Sequence, residues 1–576
     1  MSTRTISQVI VDGLVDQGVT QVFGVVGDAL NTVTEAIRTT DGIEWVGVRH
    51  EEVGAYAAGA QSQLGDRIGV CAGTVGPGSL HLLNGLYDAA KSHAPVLAIA
   101  GQVPLGELGS SFFQEVDNDQ VFRDVAVYCH TITSADQVPQ VIEQALEAAR
   151  SQRGVAVLSV PADVGGFEVD VPPVRVFADT PRSRADDELV AAAAELIDAA
   201  SKVTILAGIG ARRSRGRVLR LAELLQAPIV ATLKAKEIFD WDNPYDVGQN
   251  GLIGNPAASE AFRQCDLLLM VGTDFPYRAW YPDGTTVVQI DDTSAHIGRR
   301  TAVTLGLVGD AALTLDALLP RLTAKDDGAH LEQIRGAHRS WWERQQRLAD
   351  PAHDRSTTGA VRAALDNPDD RIRPEAVAAA IGQLAAPDAI FTTDTGMSTV
   401  WFARFVRMRD GQRLLGSFNL GSMANALPQA IGAQALHPDR EVIAFSGDGG
   451  FTMLLGDLIT AVTHRLPIRV IVFDNQRLGM VKLEQEEAGM PEFGTVLDNP
   501  DFAAVATAMG ATGFRIEAPD ELHDVLRAAF AVDGPVVVDV LTNPDEIIIP
   551  SEPSVGQAWG FATAKVREVL RSRGDS

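Results

Sequence analysis

The sequence is poor in cysteine, in basic residues and in long apolar runs, and each deficit excludes a class of protein. Its 576 residues include only Cys71, Cys129 and Cys265, whose wide separation excludes a disulfide framework or a cysteine-rich zinc site. Lysine and arginine number 48 against 75 acidic residues, and the formal net charge of −27 argues against a nucleic-acid partner. No run reaches the ~18 apolar residues of a membrane span, and the N-terminus lacks an apolar signal core. We therefore expect a cytoplasmic protein with reduced, buried thiols.

The composition that remains is that of a globular protein, with 46% hydrophobic and 21% charged residues. Helical and strand-like segments alternate along most of the chain, a pattern typical of parallel sheets covered by helices. The length suggests about three domains. We predict three doubly wound α/β domains at residues 1–180, 186–322 and 374–545, a partly helical connection at 323–373 and a C-terminal tail at 546–576.

A faint internal repeat relates the first predicted domain to the third. Gly59-Ala60-Gln61 recurs as Gly432-Ala433-Gln434, and in both copies a polar turn and an apolar strand follow. Unrelated apolar strands can match by coincidence, but glycine and proline positions also agree between the copies. The repeat therefore favours two related domains.

Polar residues follow two successive strands of the third domain. Gly447-Asp448-Gly449-Gly450 follows an apolar strand and opens a helical segment, where backbone N–H groups can bind phosphate. Asn475 ends the next strand, and the carbonyl of Arg477 lies two residues beyond it. Mg²⁺ prefers such oxygen ligands and shares them with substrate phosphates. The alternative is a strand-to-helix turn and a helix cap, but the two motifs together favour a metal–diphosphate site.

This arrangement resembles the diphosphate motif of thiamine diphosphate enzymes, which begins with Gly-Asp-Gly and ends at an asparagine pair. Here the pair reads Asp474-Asn475, so the first asparagine is replaced and the second, the family's metal ligand, is retained. The resemblance implies thiamine diphosphate and Mg²⁺, with Asp448, Asn475 and Arg477 as metal ligands. Further cofactor contacts implied in this motif are Gly449, Gly450, Gln476, Leu478 and Gly479.

The resemblance also implies contacts to the other parts of the cofactor. Glu51, at the start of a helix of small residues, would bind the aminopyrimidine ring and promote its imino tautomer. Without the diphosphate motif, Glu51 would be read as an acidic residue favouring a helix N-terminus. Gly421, Ser422 and Met423 resemble the segment that holds the bend of the cofactor, with Met423 as its apolar wedge.

Several further segments are similar to the pyruvate dehydrogenase (quinone), or pyruvate oxidase, family. They are Gly76-Pro77-Gly78, Phe113-Gln114-Glu115, residues 251–254, residues 275–278 and residues 415–427. That family binds FAD in a Rossmann-like middle domain. From the residues alone a flavin stays open, because Gly208-Ile209-Gly210 is followed by Arg213 where a third glycine is expected. The FAD contacts that the resemblance implies are Gly251, Leu252, Ile253, Gly254, Thr273, Asp274, Phe275, Pro276, Tyr277, Arg278 and Asp291.

The resemblance implies oxidative decarboxylation of pyruvate to acetate and CO₂ through a thiamine diphosphate enamine, with electrons passing to FAD and then to a quinone. Phe113 and Gln114 would shape the substrate and flavin side of the pocket, Met480 would be a catalytic residue, and Glu484 would handle protons in later steps. A homotetramer, or at least a homodimer, is expected. Membrane contact should be at most peripheral, at the inner face of the cell membrane, because the last helical stretch at 561–570 is short and carries few large apolar residues.

Three alternatives stay open at this point. Acetolactate synthase shares these cofactors and a methionine near Met480, but usually has a tryptophan shortly afterwards that this chain lacks. An oxygen-dependent pyruvate oxidase would form acetyl phosphate. An inactive protein with the same fold is disfavoured because Glu51, Asp448 and Asn475 are all present.

Overall fold

The structure is a computed structural model that describes residues 4–65, 67–175, 182–350, 371–544 and 546. Three parallel sheets covered by helices are present, as the sequence predicts. A two-stranded antiparallel ribbon also joins Arg4–Thr5 to Glu168–Val169. The predicted C-terminal tail, except for Glu546, and part of the predicted connection lie outside the described residues.

The first sheet has six parallel strands between layers of helices. The first helix begins at a capping box, in which Thr5 accepts a hydrogen bond from the backbone of Gln8 and the Gln8 side chain reaches back. In spatial order the strands are Glu44–Gly47, Gln21–Gly24, Gly69–Gly73, Val96–Gln102, Val155–Pro161 and Ala126–Thr131. The helices are Ile6–Asp16, Asn31–Thr39, Glu51–Leu64, Pro77–His81, Leu83–Lys91, Asn118–Val121 and Gln140–Ser151.

The third sheet repeats this strand order, which numbered along each domain is 2-1-3-4-6-5 in both cases. Its strands in space are Arg413–Gly416, Ile390–Thr393, Val442–Gly447, Ile468–Asp474, Val536–Leu541 and Thr512–Ile516. Its helices are Pro374–Leu384, Met397–Phe405, Ala426–Leu436, Asp448–Met453, Leu458–Thr463, Gly479–Glu487, Phe502–Ala508 and Leu522–Phe530. The identical order confirms that the first and third domains are related.

The repeated Gly-Ala-Gln segments lie where the two related domains meet. Helix Glu51–Leu64 packs against helix Ala426–Leu436, and both contribute to one shared apolar core. A Cβ on Gly432 would lie 2.3 Å from the carbonyl oxygen of Ala57, so this approach requires glycine. Gln61 donates a hydrogen bond to the carbonyl of Gly432 at 3.3 Å.

The middle domain is a five-stranded parallel sheet with strand order 2-1-3-4-5. This is the flavodoxin-like doubly wound order, and it differs from the 3-2-1-4-5-6 order of the dinucleotide-binding Rossmann fold. The strands in space are Ile229–Ala231, Val203–Ala207, Leu267–Val271, Thr286–Asp291 and Leu305–Val308. The helices are Asp187–Ala199, Arg215–Leu225, Lys236–Phe239, Pro256–Gln264 and Ala311–Leu318.

The connection after the middle domain contains the long helix Ala329–Ala349. This helix packs against helix Pro256–Gln264 and buries Leu331, Ile334 and Trp341, which makes it part of the middle domain's outer layer.

Two further expectations concern thiols and membranes. Cys71 and Cys265 are buried, whereas Cys129 is only half-buried because it lies on an edge strand. No helix in the described part of the chain is long and apolar enough to cross a membrane.

Candidate active site

Asp448 is the first residue of helix Asp448–Met453 and is almost completely buried at the carboxyl end of strand Val442–Gly447. Its Oδ1 accepts a hydrogen bond from the backbone of Gly449 at 2.8 Å, and its Oδ2 accepts one from Asn499 Nδ2 at 2.8 Å. Burial and the nearby Asp474 raise the pKa of Asp448 to about 7. A buried carboxylate in this position gains from a cation that compensates its charge.

The segment from Asp474 to Gly479 surrounds this carboxylate. Asn475 follows strand Ile468–Asp474, and its Oδ1 accepts a hydrogen bond from the backbone of Arg477 at 3.0 Å. Gln476 has a φ of 54°, and Gly479 begins the next helix. A Cβ on Gly449 would lie 2.9 Å from a methyl carbon of Leu478. The structure therefore brings the predicted metal ligands and Leu478 together at the end of two adjacent strands, while Gly450 packs behind them against Asp394.

Met423 belongs to the same site. Its Cε would lie 3.3 Å from a Cβ added to Gly449, so the side chain sits over the start of the helix that carries Asp448. Gly421 has a φ of 79° with open space beside it. Ser422 donates its backbone N–H to Ser417 and accepts a hydrogen bond from Asn84 of the first domain at 3.0 Å.

Glu51 lies in the first domain as the first residue of helix Glu51–Leu64. It is buried, and its Oε2 lies 2.9 Å from Nδ1 of His81. The His81 ring stacks on the ring of His50, with centroids 4.4 Å apart. Glu51 Oε1 would lie 3.1 Å from a Cβ on Gly78, so the start of helix Pro77–His81 approaches the carboxylate closely.

Asp457 holds the backbone in front of Glu51. Its two carboxylate oxygens accept hydrogen bonds from the N–H groups of Arg49 at 2.8 Å and His50 at 3.1 Å. Asp457 lies only a few residues beyond the helix that starts at Asp448. One carboxylate thus ties the segment carrying Glu51 to the segment carrying Asp448.

The predicted pocket residues differ in their surroundings. Phe113 is 78% exposed, whereas Gln114, with a φ of 64°, packs against the turn at Gly76. Met480 and Glu484 lie on helix Gly479–Glu487 and line one wall of an apolar crevice. The full lining of the crevice is Leu252, Ile253, Met397, Val400, Met480, Leu483, Glu484 and Glu487.

The predicted flavin residues of the middle domain fall at the carboxyl ends of its strands. Arg404 of the third domain donates hydrogen bonds to the carbonyls of Ile253 and Gly254, which fixes the loop at residues 251–254 against that domain. Gly251 has a φ of 99° and packs beside Phe275 and Tyr277. Pro276 continues the same loop, and Arg278 donates to the carbonyl of Arg299.

Two acidic residues of this region already have protein partners. Burial would raise the pKa of Asp274, but hydrogen bonds from His93 and Arg300 outweigh it and lower that pKa to about 2. Asp291 is the last residue of strand Thr286–Asp291, whereas the sequence suggested that it follows the strand. Its Oδ1 contacts the backbone N–H of Thr293 and Nδ1 of His296. The Thr273 hydroxyl accepts a hydrogen bond from the backbone of Phe275.

The glycines near these residues are explained by packing. A Cβ on Gly208 would lie 2.2 Å from the carbonyl oxygen of Gly272, and Gly210 donates to the same carbonyl. The strand ends that carry them flank the point where the strand order reverses, the usual ligand site of such sheets. Because protein contacts alone require these glycines, their pattern is no evidence for a nucleotide.

Comparison with known proteins identifies the family. Three models of thiamine pyrophosphate enzymes match: the N-terminal TPP binding domain at residues 4–121, the central domain at 190–318 and the C-terminal TPP binding domain at 394–540. The chain belongs to the thiamine pyrophosphate enzymes. Thiamine pyrophosphate is another name for thiamine diphosphate. The chain is therefore an enzyme with two domains of the kind that binds thiamine diphosphate.

Full-length relatives support the same assignment. The Bacillus subtilis protein YdaP, named for thiamine pyrophosphate, is 39% identical over 100% of this chain and 97% of its own length. A pyruvate oxidase of Lactiplantibacillus plantarum is 31% identical over 92% of this chain and 87% of its own. An acetolactate synthase of Mycobacterium bovis is 31% identical over 94% and 89% respectively.

The residues at the strand ends fit the family's cofactor. A buried carboxylate, an amide oxygen and a backbone carbonyl form the oxygen donor set that Mg²⁺ takes beside a diphosphate. Open space beside Gly447 and Gly421 leaves room for a group next to the N-terminus of helix Asp448–Met453. Thiamine pyrophosphate enzymes use Mg²⁺ to bind the diphosphate, and Asp448, Asn475 and Arg477 are the residues here that would hold it.

Two residues of the site could not be predicted from the sequence. Asn499 reaches Asp448 because residues 495–497 fold back along Gln476, Arg477 and Leu478 through backbone hydrogen bonds. Asp457 acts across the contact between two domains. Neither belongs to a motif, so no pattern could have identified them.

Proposed function

We propose that this chain decarboxylates pyruvate to acetate and CO₂ and passes the electrons first to FAD and then to a quinone. The observation that carries this proposal is the apolar crevice, in which Leu252 and Ile253 of the candidate flavin loop face Met480 and Glu484 of the helix that follows the candidate metal ligands. A crevice between these segments suits a reaction in which electrons leave one cofactor for the other.

When bound, thiamine diphosphate supplies the nucleophile and electron sink, and FAD supplies the two-electron acceptor. The protein residues position the cofactors and the substrate and transfer protons. Asp448 and Asn475 would hold the metal–diphosphate end of the cofactor, and Met423 would support its bend. Glu51 would exchange a proton with the aminopyrimidine ring, and His81 holds the Glu51 carboxylate in place through the 2.9 Å contact.

The apolar lining of the crevice serves to exclude water near the reacting groups. Glu484, at its edge, is the candidate for proton handling in later steps. Gln114 and Phe113 contribute to the pyruvate side from the first domain. Gln114 does so from its contact with the turn at Gly76, which adjoins Glu51 through Gly78.

Acetolactate synthase is the second candidate, since relatives of both kinds are equally similar. The chain from Met480 to Glu484 reads Met-Val-Lys-Leu-Glu, without the tryptophan that usually shapes the second substrate's site in that enzyme. This favours a single substrate molecule per turnover.

The deciding experiment supplies purified protein with pyruvate, thiamine diphosphate, Mg²⁺ and FAD. A quinone analogue, or oxygen with phosphate, serves as the only acceptor, and products are identified by NMR. We expect acetate and CO₂ with the quinone analogue. Acetolactate as the main product contradicts the proposal, and acetyl phosphate with oxygen identifies the oxygen-dependent reaction instead.

The proposal includes a cytoplasmic homotetramer, or at least a homodimer, with at most peripheral membrane contact. Exposed aromatic side chains such as Phe113 and Phe493, 78% and 80% exposed, suit burial against another copy of the chain. Light scattering of the purified protein measures the assembly. Co-sedimentation with liposomes in the presence of pyruvate measures membrane contact.

A further inference from the structure

Asp474 stands where thiamine diphosphate enzymes have the first asparagine of their metal motif, and the structure gives this replacement a role. It is the last residue of strand Ile468–Asp474 and is almost completely buried. Its carboxyl group shares a hydrogen-bond donor, Asn499, with the Asp448 carboxyl group. An asparagine there would place a neutral amide beside Asp448, whereas this chain places a second acid.

One amide group links the two acids. Asn499 Nδ2 lies 2.8 Å from Asp448 Oδ2 and 2.8 Å from Asp474 Oδ1. The backbone N–H of Gln476 also donates to Asp474 Oδ1 at 3.2 Å. These contacts orient the Asp474 carboxylate toward Asp448 and hold the pair together. They supply partial charges only, so the negative charge of the pair is not neutralised by them.

A third acid lies behind the pair on the neighbouring strand. Asp539 is fully buried, and its Oδ1 has no hydrogen-bond partner in the part of the chain that the structure describes. Its Oδ2 accepts a hydrogen bond from Arg515 Nη1 at 2.6 Å. Arg515 also contacts Asp501 and Glu517, so its charge is shared among three carboxylates.

We infer that Asp474 acts as a second carboxylate of the metal site, which makes this chain bind divalent cations more tightly in the presence of thiamine diphosphate than an asparagine pair would. Asn499 is the positioning residue of the pair. The inference rests on the proposed cofactor site, and it goes beyond that site because neither residue belongs to the ligand set Asp448, Asn475 and Arg477. Its physical basis is the attraction between a divalent cation and an added negative charge that is shielded from solvent.

The test compares two variants, in each of which one aspartate is replaced by the uncharged asparagine. Asp474→Asn restores the asparagine pair of the family with almost no change of shape. Asp501→Asn is the matched control: it removes one negative charge from the same acidic region, and asparagine keeps the helix cap that Asp501 provides to Ala504. Binding of Mn²⁺ is measured by electron paramagnetic resonance with thiamine diphosphate at saturation, and Mg²⁺ affinity by competition.

We expect Asp474→Asn to raise the Mn²⁺ dissociation constant by about tenfold or more, because an adjacent charge is lost. Asp501→Asn should stay within about twofold of the unmodified protein, because its carboxylate is exposed and screened. Asp474→Ser provides a second uncharged variant should Asp474→Asn fail to fold.

Equal or tighter Mn²⁺ binding by Asp474→Asn would overturn the inference while leaving the proposed function intact. Equal losses in Asp474→Asn and Asp501→Asn would also overturn it, since the effect would then come from net charge. If the unmodified protein binds no Mn²⁺ with thiamine diphosphate, the proposed function and the inference are both wrong.

Discussion

Among single residues, Glu51 has the most specific expected effect. Glu51→Gln keeps the shape of the side chain and its contact with His81 but removes the exchangeable acid. We expect turnover to fall by roughly 10²–10⁴-fold while cofactors still bind, because general acid–base steps contribute that much. Hydrogen–deuterium exchange at C2 of the bound cofactor reports the step directly. Glu52→Gln, one residue later and bound to Asn84, is the control that should keep its turnover; normal exchange in Glu51→Gln would contradict the role.

Asp448 is expected to act on two ligands at once. Asp448→Ala removes a buried carboxylate that fits the metal, so the affinities for Mg²⁺ and thiamine diphosphate should fall together. Calorimetric titration with each ligand at fixed concentration of the other measures this linkage. Unchanged affinity for both would show that Asp448 serves only the turn at Gly449.

The sequence predicts some residues of the site and not others, and the difference lies in how the fold brings each residue there. Asp448 and Asn475 are predictable because each directly follows a strand, and parallel neighbours bring their ends together. Asn499 and Asp457 are not, because a chain reversal and a domain contact bring them in. Asp474 was visible as a departure from the motif, but its consequence depends on where Asn499 lies.

At the scale of elements, the contact between helices Glu51–Leu64 and Ala426–Leu436 offers a matched pair of variants within the repeat itself. Gly432→Ala would put a Cβ 2.3 Å from the carbonyl of Ala57, a backbone atom that cannot easily move. We expect a loss of about 1–3 kcal/mol in the free energy of unfolding, as for other overpacked cores.

The equivalent glycine in the other copy is the control. A Cβ on Gly59 would lie 3.4 Å from the Cβ of Ala89, which is ordinary contact, so Gly59→Ala should be neutral or should stabilise its helix by about 0.5–1 kcal/mol. Urea denaturation of both variants measures the difference. Equal midpoints would mean that helices Glu51–Leu64 and Ala426–Leu436 can move apart to accommodate the Cβ at residue 432 without a loss of stability.

At the scale of the molecule, the alternation of helices and strands predicts parallel α/β sheets, and the short repeat predicts that two of them share one topology. Both predictions are confirmed. The 2-1-3-4-5 order of the middle sheet is not predictable, because apolar strands such as Val203–Ala207 and Leu267–Val271 do not encode their neighbours. Helix Ala329–Ala349 reads as polar, and its packing depends on a few buried residues such as Trp341.

A junction of all three domains should make stability depend on pH. Asp88 of the first domain is buried and accepts a hydrogen bond from Gln429 of the third at 3.1 Å. Lys234 of the middle domain donates to the carbonyl of Ser92 at 3.0 Å. Burial raises the pKa of Asp88 to about 6 and lowers that of Lys234 to about 8. Between these values both groups are charged, and the junction carries the cost of burying them.

The direction in which Asp88 changes stability with pH follows from its raised pKa. The folded protein holds a proton that the unfolded chain releases, so this contribution to stability is present below the ordinary carboxyl pKa of 3.8 and is lost as the pH rises through about 6. Lys234 acts in a separate pH range: its contribution to stability is complete above the ordinary lysine pKa of 10.5 and is lost as the pH falls through about 8. The two groups can therefore be measured independently.

Asp88→Asn keeps an oxygen for Gln429 but cannot titrate. We expect the free energy of unfolding of the unmodified protein to fall, relative to this variant, by up to about 3 kcal/mol between pH 4 and 6.5. Urea midpoints at a series of pH values measure the difference. Above about pH 7.5 the two proteins should show parallel pH dependence, since Asp88 is then almost fully charged. A constant difference from pH 4 to 8 would mean that Asp88 keeps its charge in the junction at pH 4 and that burial does not raise its pKa.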